Sequence, residues 1–331
     1  MKVKGNPAQA REMKQVMEAI RRHRRFIVST HINPEGDALG SALALASLIR
    51  RLGKEAVVVT AGGVPKAFEF MPRVVPVHGR LPARYRPDVA MTVDVPVLER
   101  LGSMAAPFKS VPLGVVVDHH VSNHRFGDIN WVDPTAAATG EMVHRLYRAF
   151  RVTPTREEAR CLYIAIVTDT GSFRYMSTTP EVLRIAADLV SLGVSPLRTS
   201  QDLYECHTAS DMKFLGRILS SMRQARGGKV AWVEVPMAVL RAERPGPEIM
   251  DELVNFPRAV RTAEVAFILR EPPPGGKIRA SFRSKGRIDV NKVARVFGGG
   301  GHMAASGCTI EGTLAQARAK VLKVVGKALR G

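Results

Sequence analysis

Over its first 193 residues the chain alternates short apolar runs with longer stretches of helical periodicity. FIVST (26–30), EAVVVT (55–60), DVAMTVD (88–94) and LGVVVDHH (113–120) are too short for helices. They also lack the polar alternation of a strand with one wet face, and so predict buried strands. Met13, Val16 and Ile20 mark an amphipathic helix over 7–23. Leu39, Leu43, Ala46 and Ile49 mark another over 36–52, with Gly53 where a left-handed cap belongs. PTAAATGEMVHRLYRAF (134–150) opens with a proline suited to a helix entry. TREEARCLYIAIVTD (155–169) opens with Thr155 and Glu158 in capping-box spacing. The alternation predicts an α/β fold whose N-terminal, mostly parallel sheet is flanked by helices.

The pattern changes after Gly193. Residues 194–225 read as a helical linker between two bodies. A smaller α/β C-terminal domain is expected over 226–331. KVAWVEV (229–235), AEVAFILRE (263–271) and KIRASFRS (277–284) are strands, the last two forming an antiparallel hairpin about PPPGG. A helix near 289–297, the run GGGGH and an amphipathic helix over 313–329 complete it.

Composition narrows the class. Of 331 residues, 49 are Lys or Arg and 30 Asp or Glu, a net charge of +19 that attracts polyanions. Arg-rich composition and solubility explain the same charge until a site is found. Cys161, Cys206 and Cys308 are far apart and form no CxxC, which disfavours a disulfide framework or a thiolate zinc site. The first residues carry charge but no apolar core, and no apolar run reaches the ~20 residues that span a bilayer. A cytoplasmic protein is expected.

The acidic residues fall in a telling place. FIVST runs into His31, Glu35 and Asp37; DVAMTV ends in Asp94; GVVV ends in Asp118, His119 and His120. The helix carrying YIAIV ends at Asp169. In open α/β sheets ligands bind beyond the carboxyl ends of the strands. Taken singly, Asp37 reads as a helix cap, Asp94 and Asp169 as turn residues, and the histidines as surface groups. Brought together, the carboxylates would repel unless protonated or neutralised. Glu35, Asp37, Asp94 and Asp169 carry the charge of two dications. Carboxylates with imidazoles suit Mn²⁺ or a similar ion, with Mg²⁺ and Co²⁺ as alternatives.

HINPEGD, a lone Asp after a strand, DHH and TDTGSFRY stand in the order of the DHH phosphoesterase family. DHHVSN, FGDINWVDPTAAATGE and FGGGGHMAASG extend the resemblance over nearly the whole chain. The last is similar to the glycine-rich segment of the DHH-associated C-terminal domain. In length and motif the chain resembles small bacterial oligoribonucleases that also dephosphorylate pAp. The resemblance implies a catalytic domain over 1–193 and a substrate-binding one over 226–331. It implies one metal site of His31, Glu35 and Asp94, and a second of Asp37, Asp94, His119 and Asp169, with Asp94 shared. Asp118 would orient an imidazole, and His120 would face the substrate phosphate. The family usually has Asp where Glu35 stands, so the reach of that ligand differs.

The resemblance also implies that Arg283, Ser284, Gly299, Gly300, Gly301 and His302 hold the nucleotide's other end. Glycine backbones admit an oxyanion closely, and arginine grips phosphate through two N–H groups. From Lys277 to Arg295 there are seven Lys/Arg and one acid, Asp289. A solvated surface is the plain alternative for that run. The implied reaction is metal-assisted hydrolysis of short RNA, including pApA, to mononucleotides, and of pAp to AMP. Family members often dimerise. Inorganic pyrophosphatases of related type lack the GGGGH segment, and DNA exonucleases of the RecJ kind usually carry extra domains. Cyclic-dinucleotide phosphodiesterases of the family have sensory segments upstream. An inactive nucleic-acid binder would not need the intact set of acids and histidines.

Overall fold

In the computed structural model, which describes residues 7–71, 73–273 and 276–330, the early apolar runs form one parallel sheet. Its strands are β1 (Arg25–Ser29), β2 (Glu55–Val59), β3 (Val77–His78), β4 (Val89–Val93), β5 (Leu113–Asp118) and β6 (Ile129–Val132). They lie in the order β3-β2-β1-β4-β5-β6, and every neighbouring pair is parallel. The chain therefore builds outward from β1, returns, and builds the other way from β4. The edge strands β3 and β6 escape the apolar-run pattern because β3 is two half-buried residues and β6 opens with the half-buried Ile129 and Asn130 before the buried Trp131 and Val132.

Both faces of the sheet are covered, which is why its strands read as unbroken apolar runs. On one face Phe26, Val28, Val115 and Val117 join the main core. The helices packed there are α1 (Pro7–Arg22), α2 (Gly36–Arg51), α4 (Thr139–Ala149), α5 (Arg156–Asp169) and α6 (Pro180–Ser191). On the other face Ile27, Ala90 and Val116 meet Leu101, Met104 and Phe108, the last from the short helix α3 (Ala105–Ser110). A last helix of this unit, α7 (Pro196–Tyr204), is tied to α5 by an Arg160–Asp202 ion pair of 2.6 Å.

Helix α4 starts at Thr139, five residues later than its proline suggests. Ala138 is extended and supplies no side-chain cap, so the chain from Pro134 stays irregular until its amides meet a partner from another helix. Helices α2, α4 and α5 approach one another through glycine. A Cβ on Gly40 would lie 2.4 Å from the Cys161 carbonyl oxygen, and one on Gly140 would lie 2.5 Å from the Ala165 methyl.

The chain divides between Leu203 and Tyr204. The stretch 194–225 is therefore split, not a linker of its own: α7 belongs to the first unit and α8 (Ala209–Ser220) opens the second. Phe214 and Ile218 of α8 sit in a core with Val233, Val235 and Ile268, which fixes α8 to the second sheet. That sheet has the strands β7 (Arg223–Ala225), β8 (Val230–Val235), β9 (Val265–Arg270), β10 (Ile278–Ser284), β11 (Gly300–Gly301) and β12 (Ala305–Ile310). Their order is β11-β12-β10-β9-β8-β7, antiparallel throughout except for β8 beside β9. The helices are α9 (Met237–Glu243), α10 (Pro247–Glu252), α11 (Asn255–Ala259), α12 (Val290–Arg295) and α13 (Leu314–Ala328). Pro274 and Gly275 of the anticipated turn lie outside the described residues, as do residues 1–6 and 331 at the ends of the expected domains.

Overpacking makes a direct test. Gly40→Ala is expected to lose about 1–3 kcal/mol in urea unfolding, because the new methyl meets a helix backbone that cannot yield.

Candidate metal centre

The order reversal puts the carboxyl ends of β1 and β4 side by side, with β5 next. His31 follows β1, Asp94 follows β4, and Asp118, His119 and His120 close β5. Glu35 and Asp37 stand at the start of α2, and Asp169 is the last residue of α5. The structure brings all eight to one edge of the sheet.

Asp94 is the hub. Its Oδ2 lies 3.6 Å from His31 Nε2, and its Oδ1 lies 3.6 Å from His119 Nε2 and 3.5 Å from His120 Nδ1. His119 Nε2 is also 3.2 Å from Asp169 Oδ2 and 3.8 Å from Asp37 Oδ2. Candidate ligand groups result, among them His31 with Glu35 and Asp94, Asp37 with His119 and Asp169, and Asp94 with Asp118 and His120. Within each, the ligand atoms lie within 4.8 Å of one another. The backbone of Asp94 is left-handed (φ 61°), a strained state that Asp tolerates better than most residues.

Each imidazole is steered from behind. His31 Nδ1 lies 2.9 Å from the Ile32 carbonyl oxygen, and His119 Nδ1 lies 3.3 Å from that of Ala136. An N–H donated there leaves Nε2 as the lone-pair atom toward the acids. His120 Nδ1 lies 2.7 Å from Asp118 Oδ1, which also accepts from the His119 and His120 amides. Asp118 Oδ2 accepts from Asn123 Nδ2, which donates to the Val95 carbonyl as well.

Residue-by-residue reading of the sequence misses the buried supports. Asp37 Oδ2 accepts from the Thr139 amide (2.7 Å), and Oδ1 from the Gly140 amide and the Ser41 hydroxyl (both 2.9 Å). Asp37 thus caps α4, not its own helix. Asn123 has a signal in DHHVSN, but nothing local says what it would hold. Arg100, whose Nη2 lies 3.2 Å from His31 Nδ1, carries no motif at all.

Residues 25–166 match the DHH family, N-terminal domain, and residues 234–331 match the DHHA1 domain. A protein of Thermus thermophilus named bifunctional oligoribonuclease and PAP phosphatase NrnA is 34% identical over 303 residues, 91% of this chain and 89% of that one. The chain belongs to the DHH family. The Bacillus subtilis protein of the same name is 27% identical over 86% of this chain and 89% of its own. The crystal structure of an exopolyphosphatase-related protein from Bacteroides fragilis superposes with a TM-score of 0.86 at 26% identity, covering 97% of this chain and 96% of that one.

The DHH centre is electrostatically unbalanced as a set of bare side chains. Burial, then repulsion from Asp94, pushes the Asp37 carboxyl up to about 7 despite its helix amides. Loss of hydration, then Asp37, Asp94 and Glu35, pushes Asp169 well above the usual carboxylate range. Burial would raise Asp94 too, but the His31 hydrogen bond and the charges of His120 and His119 outweigh it and hold Asp94 low. Burial disfavours the imidazolium forms of His31, His119 and His120, yet the nearby carboxylates raise all three. A donor set of carboxylates and imidazoles without thiolate, strained by its own charge, fits divalent ions of the Mn²⁺ or Mg²⁺ kind.

The residues implied for substrate lie in the DHHA1 part. Arg279, Ser281 and Arg283 alternate with the buried Ile278, Ala280, Phe282 and Ser284 along β10. Ser284 is 2% exposed and its Oγ accepts from the Gly286 amide, so it pins the turn after β10. A Cβ on Gly299 or Gly301 would strike β12, at 2.2 Å from the Gly307 oxygen and 2.6 Å from the Ala305 oxygen. Those glycines thus serve strand packing, while a Cβ on Gly300 would meet only ordinary contact, with Asn291 Oδ1 at 3.9 Å. His302 stands in the turn between β11 and β12. The basic run is partly engaged: Lys277 pairs with Glu311, Lys285 donates to the Val260 and Arg261 carbonyls, and Arg287 pairs with Glu264. Asp289 caps α12.

Asp37, Asp169 and the three histidines all bind protons more tightly in the folded chain than at their ordinary values. Their stabilisation is therefore present at low pH and lost as pH rises through the folded values, for Asp37 between its ordinary carboxylate value and about 7. With EDTA present, the melting temperature is expected to fall as pH rises from about 5 to about 8. Mn²⁺ should flatten that slope, as calorimetry would show.

Proposed function

We propose that the protein is a metal-dependent phosphoesterase that hydrolyses short oligoribonucleotides to mononucleotides and removes the 3′-phosphate of pAp. The observation that carries the reading is Asp94, which turns one carboxylate oxygen to His31 and the other to His119. One divalent ion would be held by His31, Glu35 and Asp94, and a second by Asp37, Asp94, His119 and Asp169, with Mn²⁺ the preferred ion. Bound there, such ions supply Lewis acidity toward phosphate and a water of lowered pKa. The names of the Thermus and Bacillus relatives support the substrate class.

The chain's own groups do the positioning. Asp118 holds His120 through Nδ1, so Nε2 is the atom that donates to a phosphate oxygen. The raised pKa of His120 favours the imidazolium form that such donation needs. Asp118 is fixed in turn by Asn123, which keeps the imidazole from swinging away. In the second unit, Arg283 and the segment Gly299–His302, with Ser284 bracing the turn, bind the far phosphate or base of the nucleotide.

A panel of pApA, pAp, a short RNA and pyrophosphate, each with Mn²⁺, with Mg²⁺ and with EDTA, tests this. Mn²⁺ should switch on hydrolysis of the first three and EDTA should switch it off. Asp94→Ala should abolish every activity, whereas Arg283→Ala should raise KM for pApA about tenfold or more with kcat nearly kept. Faster hydrolysis of pyrophosphate than of pApA, or an unchanged KM in Arg283→Ala, would overturn the corresponding claim.

A further inference from the structure

The edge of the first sheet opposite the metal centre has no part in that chemistry, and it is strongly basic. The C-terminal turn of α1 carries Arg21 and Arg22, and Arg24 and Arg25 lead into β1. Helix α2 ends in Arg50 and Arg51. These elements are in contact: Lys54 Nζ donates to the Arg21 carbonyl (2.8 Å), and Arg51 Nη1 donates to the Thr153 carbonyl (2.7 Å). The Arg21 guanidinium lies 5.4 Å from the centre of the Phe150 ring, which joins the patch to Arg148 and Arg151 at the end of α4. A cavity of about 470 Å³ opens beside Arg148, Arg151 and Thr153, with the buried His144 in its wall. His144 Nδ1 has no hydrogen-bond partner among the described residues.

The acids of this edge only partly balance it. Glu18 is shared by Arg21 and Arg22, Glu55 faces Arg24 at 3.7 Å, Asp88 pairs with Arg25 at 3.2 Å, Glu181 pairs with Arg148 at 3.4 Å, Glu158 is taken by Arg51, and Asp188 lines the cavity. Arg50, Lys54 and Arg151 form no ion pair among the described residues. Arg22, Arg24 and Arg148 are 73%, 80% and 66% exposed. We propose that this amino-terminal edge docks a nucleic-acid strand through its phosphates, at a site separate from the metal centre. Arginine predominates over lysine, which suits the bidentate geometry of phosphodiesters. A membrane is the weaker fit, because the most exposed large apolar side chains, Val121, Met176 and Met303, lie on other parts of the chain, and the adjoining α6 offers Leu183 and Val190, at 49% and 38% exposed. Five residues of β1 at about 3.3 Å each put the edge roughly 16 Å from the acids. A strand held there leaves the centre open to short substrates.

The inference does not depend on which phosphoester is cut. The test uses labelled single-stranded RNA and DNA of about 30 nucleotides, with EDTA to prevent cleavage, and anisotropy from about 50 to about 200 mM salt. The triple variant Arg22→Gln, Arg24→Gln, Arg148→Gln should bind more weakly, with the slope of log affinity on log salt reduced by about 2, since each lost phosphate contact removes about 0.7. Hydrolysis of pApA should stay within about twofold, because the chemistry lies at the other edge. The matching triple Arg→Lys variant should keep the wild-type slope. An unchanged slope in the glutamine variant overturns the proposal. So does tighter binding to phosphatidylserine vesicles than to either strand.

Discussion

Asp37 ties the fold to the site. Its carboxylate closes the amino end of α4, where two backbone N–H groups would otherwise be orphaned in a dry interior. The same carboxylate stands 3.8 Å from His119 and belongs to a candidate ligand group with His119 and Asp169. Removing it would both uncap a helix and take a carboxylate out of that candidate ligand group. The close helix packing at Gly40 and Gly140 follows from this demand, since α2, α4 and α5 must converge for one side chain to do both jobs. Asp94 bears a comparable double load, held left-handed so that its oxygens face different neighbours.

Much of this was legible in the sequence, for reasons that can be located. The buried parallel strands leave unbroken apolar runs, so β1, β2, β4 and β5 stand out, and acids placed just past those runs mark the edge. The edge strands β3 and β6 are short, and Asn130 breaks the apolar character of β6, so no run betrays them. The start of α4 is hidden from the sequence because its cap comes from Asp37, 102 residues earlier. No local rule sees a cap of that kind. The bonds of Asn123 to Val95 and of His119 to Ala136, 28 and 17 residues apart, escape local rules in the same way.

The glycine-rich segment shows two demands on one stretch of chain. Gly299 and Gly301 are excluded from larger residues by the strand beside them, whereas Gly300 is not. A phosphate cradle and a tight edge strand ask for the same residue type, so composition alone does not separate them. The basic run after Lys277 divides likewise: some of its charges settle with Glu264 and Glu311, while Arg279 and Arg283 share the outer face of β10.

Because every strand of the first sheet runs the same way, the unit has a head and a tail. Acids collect where strands end and arginines where they begin. With dications at the head, the acid charge is cancelled and the tail remains cationic, so the unit is an electrical vector. Near a long polyanion it would turn its tail inward and present its reactive mouth to the surrounding water, where small fragments diffuse.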